Sequence, residues 1–320
     1  MIKNFLRIVA FVLAARSTVV AQSIVMTGYS PAAAVSQRGL EADVVTRPSA
    51  DSASAYSRAL SQEAHIAGTP AQARTRDYVL SRMKAWGLET ESRTYSVWMP
   101  HATSVRVVRL LPTVREFALR EPAVSGDATS SLAQYPTVNG YSGQGDVSGE
   151  VVYVNYGLIE DYAYLDSTGV SVRGKVAIAR YGRSFRGIKA REAERHGAIA
   201  LIIYSDPKDD GFVVGDVFPD GPMRPAAGVQ RGSVYNANGD PTTPGYGSVA
   251  GARRLAESAM SVPRIPVVPM SYGNAGELLK YLRGHDVPAA WQGGCHSTTT
   301  LEPGRRKPGS SFTMTAPRTR

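Results

Sequence analysis

The chain has 320 residues, 43% of them hydrophobic and 20% charged, and a net charge of +9, which permits a packed core and roughly two ordinary domains. The charge sits at the ends: setting aside three basic residues in 1–21, and five basic residues and one acid in 295–320, leaves 28 basic against 26 acidic residues. A near-neutral body excludes nucleic-acid binding as a reading of the overall charge, and the single cysteine, Cys295, excludes a disulfide framework and a cysteine zinc cluster.

Residues 1–21 read as a signal peptide. Lys3 and Arg7 precede the apolar run Ile8–Ala15, and Val19-Val20-Ala21 offers small residues for cleavage. That run is too short to cross a bilayer core of about 30 Å; the alternative is an N-terminal anchor. The expected location is secreted or periplasmic, with no membrane association after cleavage. Residues 22–50 are small, polar and without periodicity, and read as a linker. A helix is predicted over about Asp51–Glu63. A second is predicted from Thr69 as cap, with Pro70 in the first turn and Gln72 completing the box. Val79, Met83 and Trp86 repeat at helical spacing up to Gly87. Alternation at Tyr95, Val97 and Met99, and again over Val105–Leu111, predicts strands.

Residues 122–148 are rich in Gly, Ser, Pro and Asp, and read as a boundary or long surface loop. Val151–Val154, Val176–Ala179, Ile199–Ile203 and Ile265–Val268 are short, β-branched apolar runs, which favours buried strands. Helices are predicted over Gly187–His196 and about Asn274–Leu282. The Gly/Pro/Asn-rich stretch from Pro219 to Gly251 predicts an ordered or functional long loop. From Cys295 on there is no apolar period, which predicts disorder.

Several catalytic patterns are excluded. Gly182-Arg183-Ser184-Phe185-Arg186-Gly187 has the spacing of a phosphate loop, but Ile188 stands where the lysine belongs. There is no Gly-x-Ser-x-Gly and no His-Glu-x-x-His. His65, His101, His196, His285 and His296 lack metal-ligand spacing. What remains is the basic cluster Arg180, Arg183, Arg186, Lys189 and Arg191. An arginine fork suits a planar carboxylate; the alternative is a solvated helix start.

The segment Gly174–Lys189, with Gly197-Ala198, Ile203–Pro207, Gly228-Val229-Gln230-Arg231-Gly232, Gly239–Tyr246 and Ile265–Ser271, resembles the protease-associated (PA) domain of the glutamate carboxypeptidase II and transferrin-receptor-like zinc exopeptidase family. His65–Pro70 resembles the opening of that family's peptidase domain. The resemblance covers about residues 50–294. It implies an α/β (α+β) chain: an N-terminal portion of a peptidase domain over 51–120, a β-rich PA domain with short helices over 121–285, drawn as a sandwich or barrel, and a tail over 286–320. It further implies that Arg186, after Phe185, binds the carboxylate of a peptide's C-terminal residue. Ser233 falls where glutamate-cleaving members carry an Asn that contacts the glutamate side chain. Thr243 and Tyr246 match positions that bind a structural calcium, whose remaining ligands in the family are acids beyond the position of residue 294, so the expected site is incomplete.

The family's zinc ligands and general base lie beyond the PA domain. The expectation is therefore no cofactor in this chain, zinc and calcium belonging to the intact family, and no catalytic residue. After Trp291-Gln292-Gly293-Gly294 the family continues Leu-Pro-Phe, a sequence that can be encoded in another frame here. A one-nucleotide deletion near codon 294 is the expected cause, and resequencing decides it. The functional expectation is a fragment of a secreted zinc carboxypeptidase acting on peptides with a C-terminal carboxylate, with a homodimer in the intact family. The alternatives are a free-standing PA module that binds peptides or proteins, and a fragment of an aminopeptidase of the same fold.

Overall fold

The computed structural model describes residues 26–99, 101–131, 137–295, 300–302 and 311–315. The predicted signal peptide and His296 lie outside them. The chain divides into two compact units, Met1–Glu63 and Ala64–Arg320. No helix among the described residues is long and apolar enough to cross a membrane.

The first unit corrects the linker reading. Residues Pro31–Val44 form helix α1: Ser30 caps it by accepting from Ala33 N, and proline takes the first turn. The alanine-rich sequence lacks an apolar stripe, so periodicity could not reveal a helix that propensity and capping support. Helix α2, Ala50–Leu60, starts at the Ser49 cap with Asp51 in its first turn.

The second unit opens with helix α3, Pro70–Ala85, where Thr69 Oγ1 accepts from Gln72 N at 3.3 Å. The helix buries none of its residues, and Val79 and Trp86 are exposed. The alternation at Tyr95–Met99 does not make a sheet strand. That stretch is instead fastened by single bonds, from Ser96 N to Ser248 O at 2.8 Å and from Trp98 N to Asp240 Oδ2 at 2.9 Å.

Strands follow at β1 (Arg106–Arg109), β2 (Arg115–Glu116), β3 (Asn139–Gly140) and β4 (Asp146–Tyr153). Helix α4 (Ile159–Ser167) leads to β5 (Val176–Arg180), and helix α5 (Arg186–Arg195) leads to β6 (Ala200–Tyr204). The short helix α6 (Pro207–Asp210), β7 (Gly232–Ser233), β8 (Val267–Met270), helix α7 (Tyr272–Leu279) and β9 (Arg283–Asp286) come next. Strands β10 (Thr300–Glu302) and β11 (Ser311–Thr315) complete the order.

One seven-stranded sheet runs β2-β1-β11-β4-β5-β6-β8. β4, β5, β6 and β8 are parallel, while β11 lies antiparallel between β1 and β4. β1 and β2, from the stretch 51–120, share this sheet with strands of 121–285. The mixed α/β class is as expected, but the sandwich or barrel is not. Helices α4 and α5 return β5 and β6 beside their predecessors in the same direction, and the long connection after β6 brings β8 alongside it, which builds an open parallel sheet. Every residue of β5 and β6 is buried, as expected for strands covered on both faces. The disordered-tail reading is corrected at 300–302 and 311–315, which pair as strands. The Ser-Phe-Thr-Met-Thr sequence of β11 favours extended backbone, a preference that a search for apolar period overlooks.

Candidate functional site

The basic cluster is divided by the fold. Arg180 ends β5, is 2% exposed and donates from Nε and Nη2 to Asp209 Oδ2 at 3.0 and 2.5 Å. Arg191 pairs with Glu192 at 2.7 Å. Arg183, at φ +58, places its guanidinium 4.9 Å from the Tyr156 ring centre. Lys189, on α5, is fully buried and donates to Tyr156 O at 2.5 Å and Gly182 O at 2.8 Å. It ties the loop before α5 to the turn after β4.

Burial in this apolar layer pulls the Lys189 ammonium from the ordinary lysine value of 10.5 down to about 8. Between those values the unfolded chain holds more protons than the folded one, so stability rises with pH across that window and the deficit is complete below it. Relative to Lys189→Met, which has nothing to titrate there, the native chain is expected to gain about 3 kcal/mol between pH 8 and 10.5. Urea unfolding of both proteins at stepped pH checks this; parallel curves would contradict it.

Arg186 differs from its neighbours. Phe185 is the N-cap of α5 and offers no side-chain bond, leaving Arg186 as the first helical residue. Its Nη1 donates to Gln230 Oε1 at 3.0 Å and its Nε to Ser233 O at 3.3 Å. The guanidinium carbon stands 5.3 Å from the Tyr181 ring centre and 5.6 Å from that of Phe185. Among the described residues no carboxylate pairs with it. It lies over Gly232, where a Cβ would come within 1.9 Å of Nη2. Asn236 Nδ2 donates to Gly187 O at 2.8 Å, holding the start of α5 against the segment after β7. The loop bearing Gln230 is anchored in turn by Glu121, which accepts from Val229 N at 2.7 Å and Arg231 Nη1 at 2.6 Å.

The fold thus brings together Phe185, Arg186 and Ser233. The Ser233 hydroxyl accepts from Tyr235 N at 3.0 Å. In the sequence Gln230 and Gly232 are parts of a motif only; their contact with Arg186 crosses more than forty residues of chain, which no local pattern records.

Thr243 and Tyr246 meet in a different turn. Tyr246 N donates to Thr243 O at 3.3 Å. The Thr243 hydroxyl pairs with Ser248 Oγ at 2.7 Å, and the Tyr246 hydroxyl donates to Arg253 O. Asp240, beside them, accepts from Thr242 N and Oγ1, Trp98 N, Ser248 and Arg254. These bonds outweigh its burial and hold its carboxyl well below the usual carboxylate range. Calcium takes roughly six to eight oxygen ligands, whereas the Thr243 and Tyr246 hydroxyls here are engaged with Ser248 Oγ and Arg253 O. Nor do three His, Cys, Asp or Glu side chains converge among the described residues in a group that could hold a metal ion.

Residues 139–236, the stretch that carries β3 through β7 and both walls of the Arg186 site, match the PA domain. The chain contains a PA domain. Similarity extends beyond it on both sides. The chain is 36% identical over 266 residues to the glutamate carboxypeptidase 2 homolog of Caenorhabditis briggsae, across 78% of this chain and 34% of that protein. It is 33% identical over 267 residues to aminopeptidase NAALADL1 of Mus musculus, across 79% of this chain and 36% of that protein. It therefore spans about a third of the length of the curated relatives it matches, and is related to glutamate carboxypeptidase-like peptidases. Among solved structures, the aminopeptidase from Aneurinibacillus sp. strain AM-1 aligns with a TM-score of 0.40 at 18% identity, over 85% of this chain and 45% of that one.

Proposed function

We propose that the chain supplies the substrate-positioning PA portion of a secreted zinc-dependent carboxypeptidase of the glutamate carboxypeptidase type, with Arg186 receiving the C-terminal carboxylate of a peptide. One observation carries this reading: Arg186 alone of the cluster combines a place at a helix N-terminus with purely neutral acceptors. Its charge therefore stays available to an incoming anion. The rings of Phe185 and Tyr181 flank the guanidinium, and the backbone and amide acceptors fix its plane. A planar carboxylate matches a guanidinium fork through two parallel charge-assisted bonds. The peptide backbone dipole at the start of α5 adds to the attraction. The chain binds and orients; it is not assigned the hydrolytic step.

Calorimetric titration with N-acetyl-aspartyl-glutamate and with its C-terminal amide tests this. The free acid is expected to bind, the amide to bind far more weakly, and Arg186→Ala to lose roughly tenfold to a hundredfold for the free acid alone. Equal binding of acid and amide, or an unaffected Arg186→Ala, would remove the assignment. Zinc-dependent release of glutamate by the purified chain would overturn the purely positioning role.

A further inference from the structure

Asn139 is 2% exposed, yet neither its Oδ1 nor its Nδ2 has a hydrogen-bond partner among the described residues. A buried carboxamide left in this state opposes folding, so its place in the fold matters. In the parallel β3–β7 ladder Asn139 stands beside Gly232, and Gly140 beside Ser233. Side chains paired across a ladder share one face of it. The slot that a side chain at Gly232 would fill on that face is occupied by the Arg186 guanidinium, 1.9 Å from the ideal Cβ at Nη2 and 2.3 Å at Cζ. Adjacent strands lie about 4.8 Å apart, so the register sets the Asn139 backbone beside the Gly232 slot that the guanidinium fills.

Arg186 directs Nε to Ser233 O and Nη1 to Gln230 Oε1. Nη2 is the guanidinium atom nearest the position of a Gly232 Cβ, on the strand that pairs with β3. A carboxylate that engages the fork pulls on the whole guanidinium, and an acceptor at the Nη2 edge would keep its plane fixed. Asn139 Oδ1 is such an acceptor. It is neutral, like the other two, so it would hold the fork without cancelling its charge.

We propose that Asn139 is a positioning residue of the anion site, holding the Nη2 edge of Arg186 when a carboxylate is bound. This rests on the reading that Arg186 takes a carboxylate, and the test separates the two. N-acetyl-aspartyl-glutamate is titrated calorimetrically into Asn139→Leu, Asn139→Asp and Arg186→Ala, each also melted to obtain its Tm. Asn139→Leu is expected to lose about tenfold in affinity with an equal or higher Tm, since two unpartnered polar atoms are gone. Asn139→Asp is expected to lose binding at neutral pH, because its carboxylate neutralises the guanidinium. Its affinity relative to the parent should recover as the pH is lowered and that acid takes up a proton, which a merely structural role would not produce. Asn139→Ser replaces the leucine variant if that one misfolds. If the Asn139 variants bind like the parent while Arg186→Ala does not, the role of Asn139 falls and the Arg186 reading stands. If Arg186→Ala also binds like the parent, both fall.

Discussion

Replacing Arg180 by alanine is expected to cost about 3–5 kcal/mol of unfolding free energy, the range for breaking a buried ion pair by removing one partner. The residue closes the C-terminal end of β5 with its side chain 2% exposed. Its guanidinium grips Asp209 and lies 4.0 Å from Asp206, whose side chain is fully buried. It also stacks 4.5 Å from the Tyr156 ring centre. Burial by itself would disfavour the cation, but Tyr153, Asp206 and Asp209 outweigh that and raise its pKa above the ordinary arginine value. Asp206 is committed elsewhere as well: it caps α6 through Lys208 N at 2.9 Å and accepts from Gly294 N at 2.6 Å. Removing Arg180 would leave this carboxylate buried without a cation, beside a void where a large side chain had been. Urea unfolding followed by circular dichroism measures the loss, and a change below about 1 kcal/mol would place the pair with ordinary surface bridges. The exposed pair Arg106–Glu116 provides the contrast, since Arg106→Ala should leave the unfolding midpoint where it is. Pairing Arg180→Met with Asp206→Asn is expected to recover part of the loss, because the amide keeps an acceptor for Lys208 N and Gly294 N and no buried carboxylate is left stranded.

Gly232→Ala should abolish the anion site while sparing the fold. The added Cβ would lie 1.9 Å from Arg186 Nη2 and 2.7 Å from Nε, and φ at this glycine is +157°. The clashing atoms are the far end of a flexible side chain, so the guanidinium swings away rather than the strands parting. The backbone strain adds a modest cost in stability. Affinity for N-acetyl-aspartyl-glutamate is expected to fall to that of Arg186→Ala, roughly tenfold to a hundredfold below the parent. The double variant Gly232→Ala/Arg186→Ala should bind no worse than either single one, and should be more stable than Gly232→Ala because no side chain remains to be displaced. Additive losses in binding would show that the glycine acts on the ligand by some other route.

Both predictions concern side chains whose importance lies in distant partners, and this divides what could be read in advance from what could not. The α3 start was legible because Thr69, Pro70 and Gln72 act within one helical turn. The buried strands were legible because β5 and β6 are covered on both faces, so their apolar runs are continuous. α1 was not legible, since an alanine-rich helix with one buried residue has no stripe to detect.

The sequence by itself determined the Thr69 cap, the apolar strands, the nearly neutral body and the chained motifs of a PA domain. Only the tertiary structure decided how five neighbouring cations divide their roles. Arg180 meets Asp209 from 29 residues away, while Arg186 meets Gln230 and Ser233 from 44 and 47. Periodicity and capping report interactions within a few residues along the chain. Whether a cation is neutralised, buried against carbonyls or left open to an anion depends on which loops the sheet brings beside it.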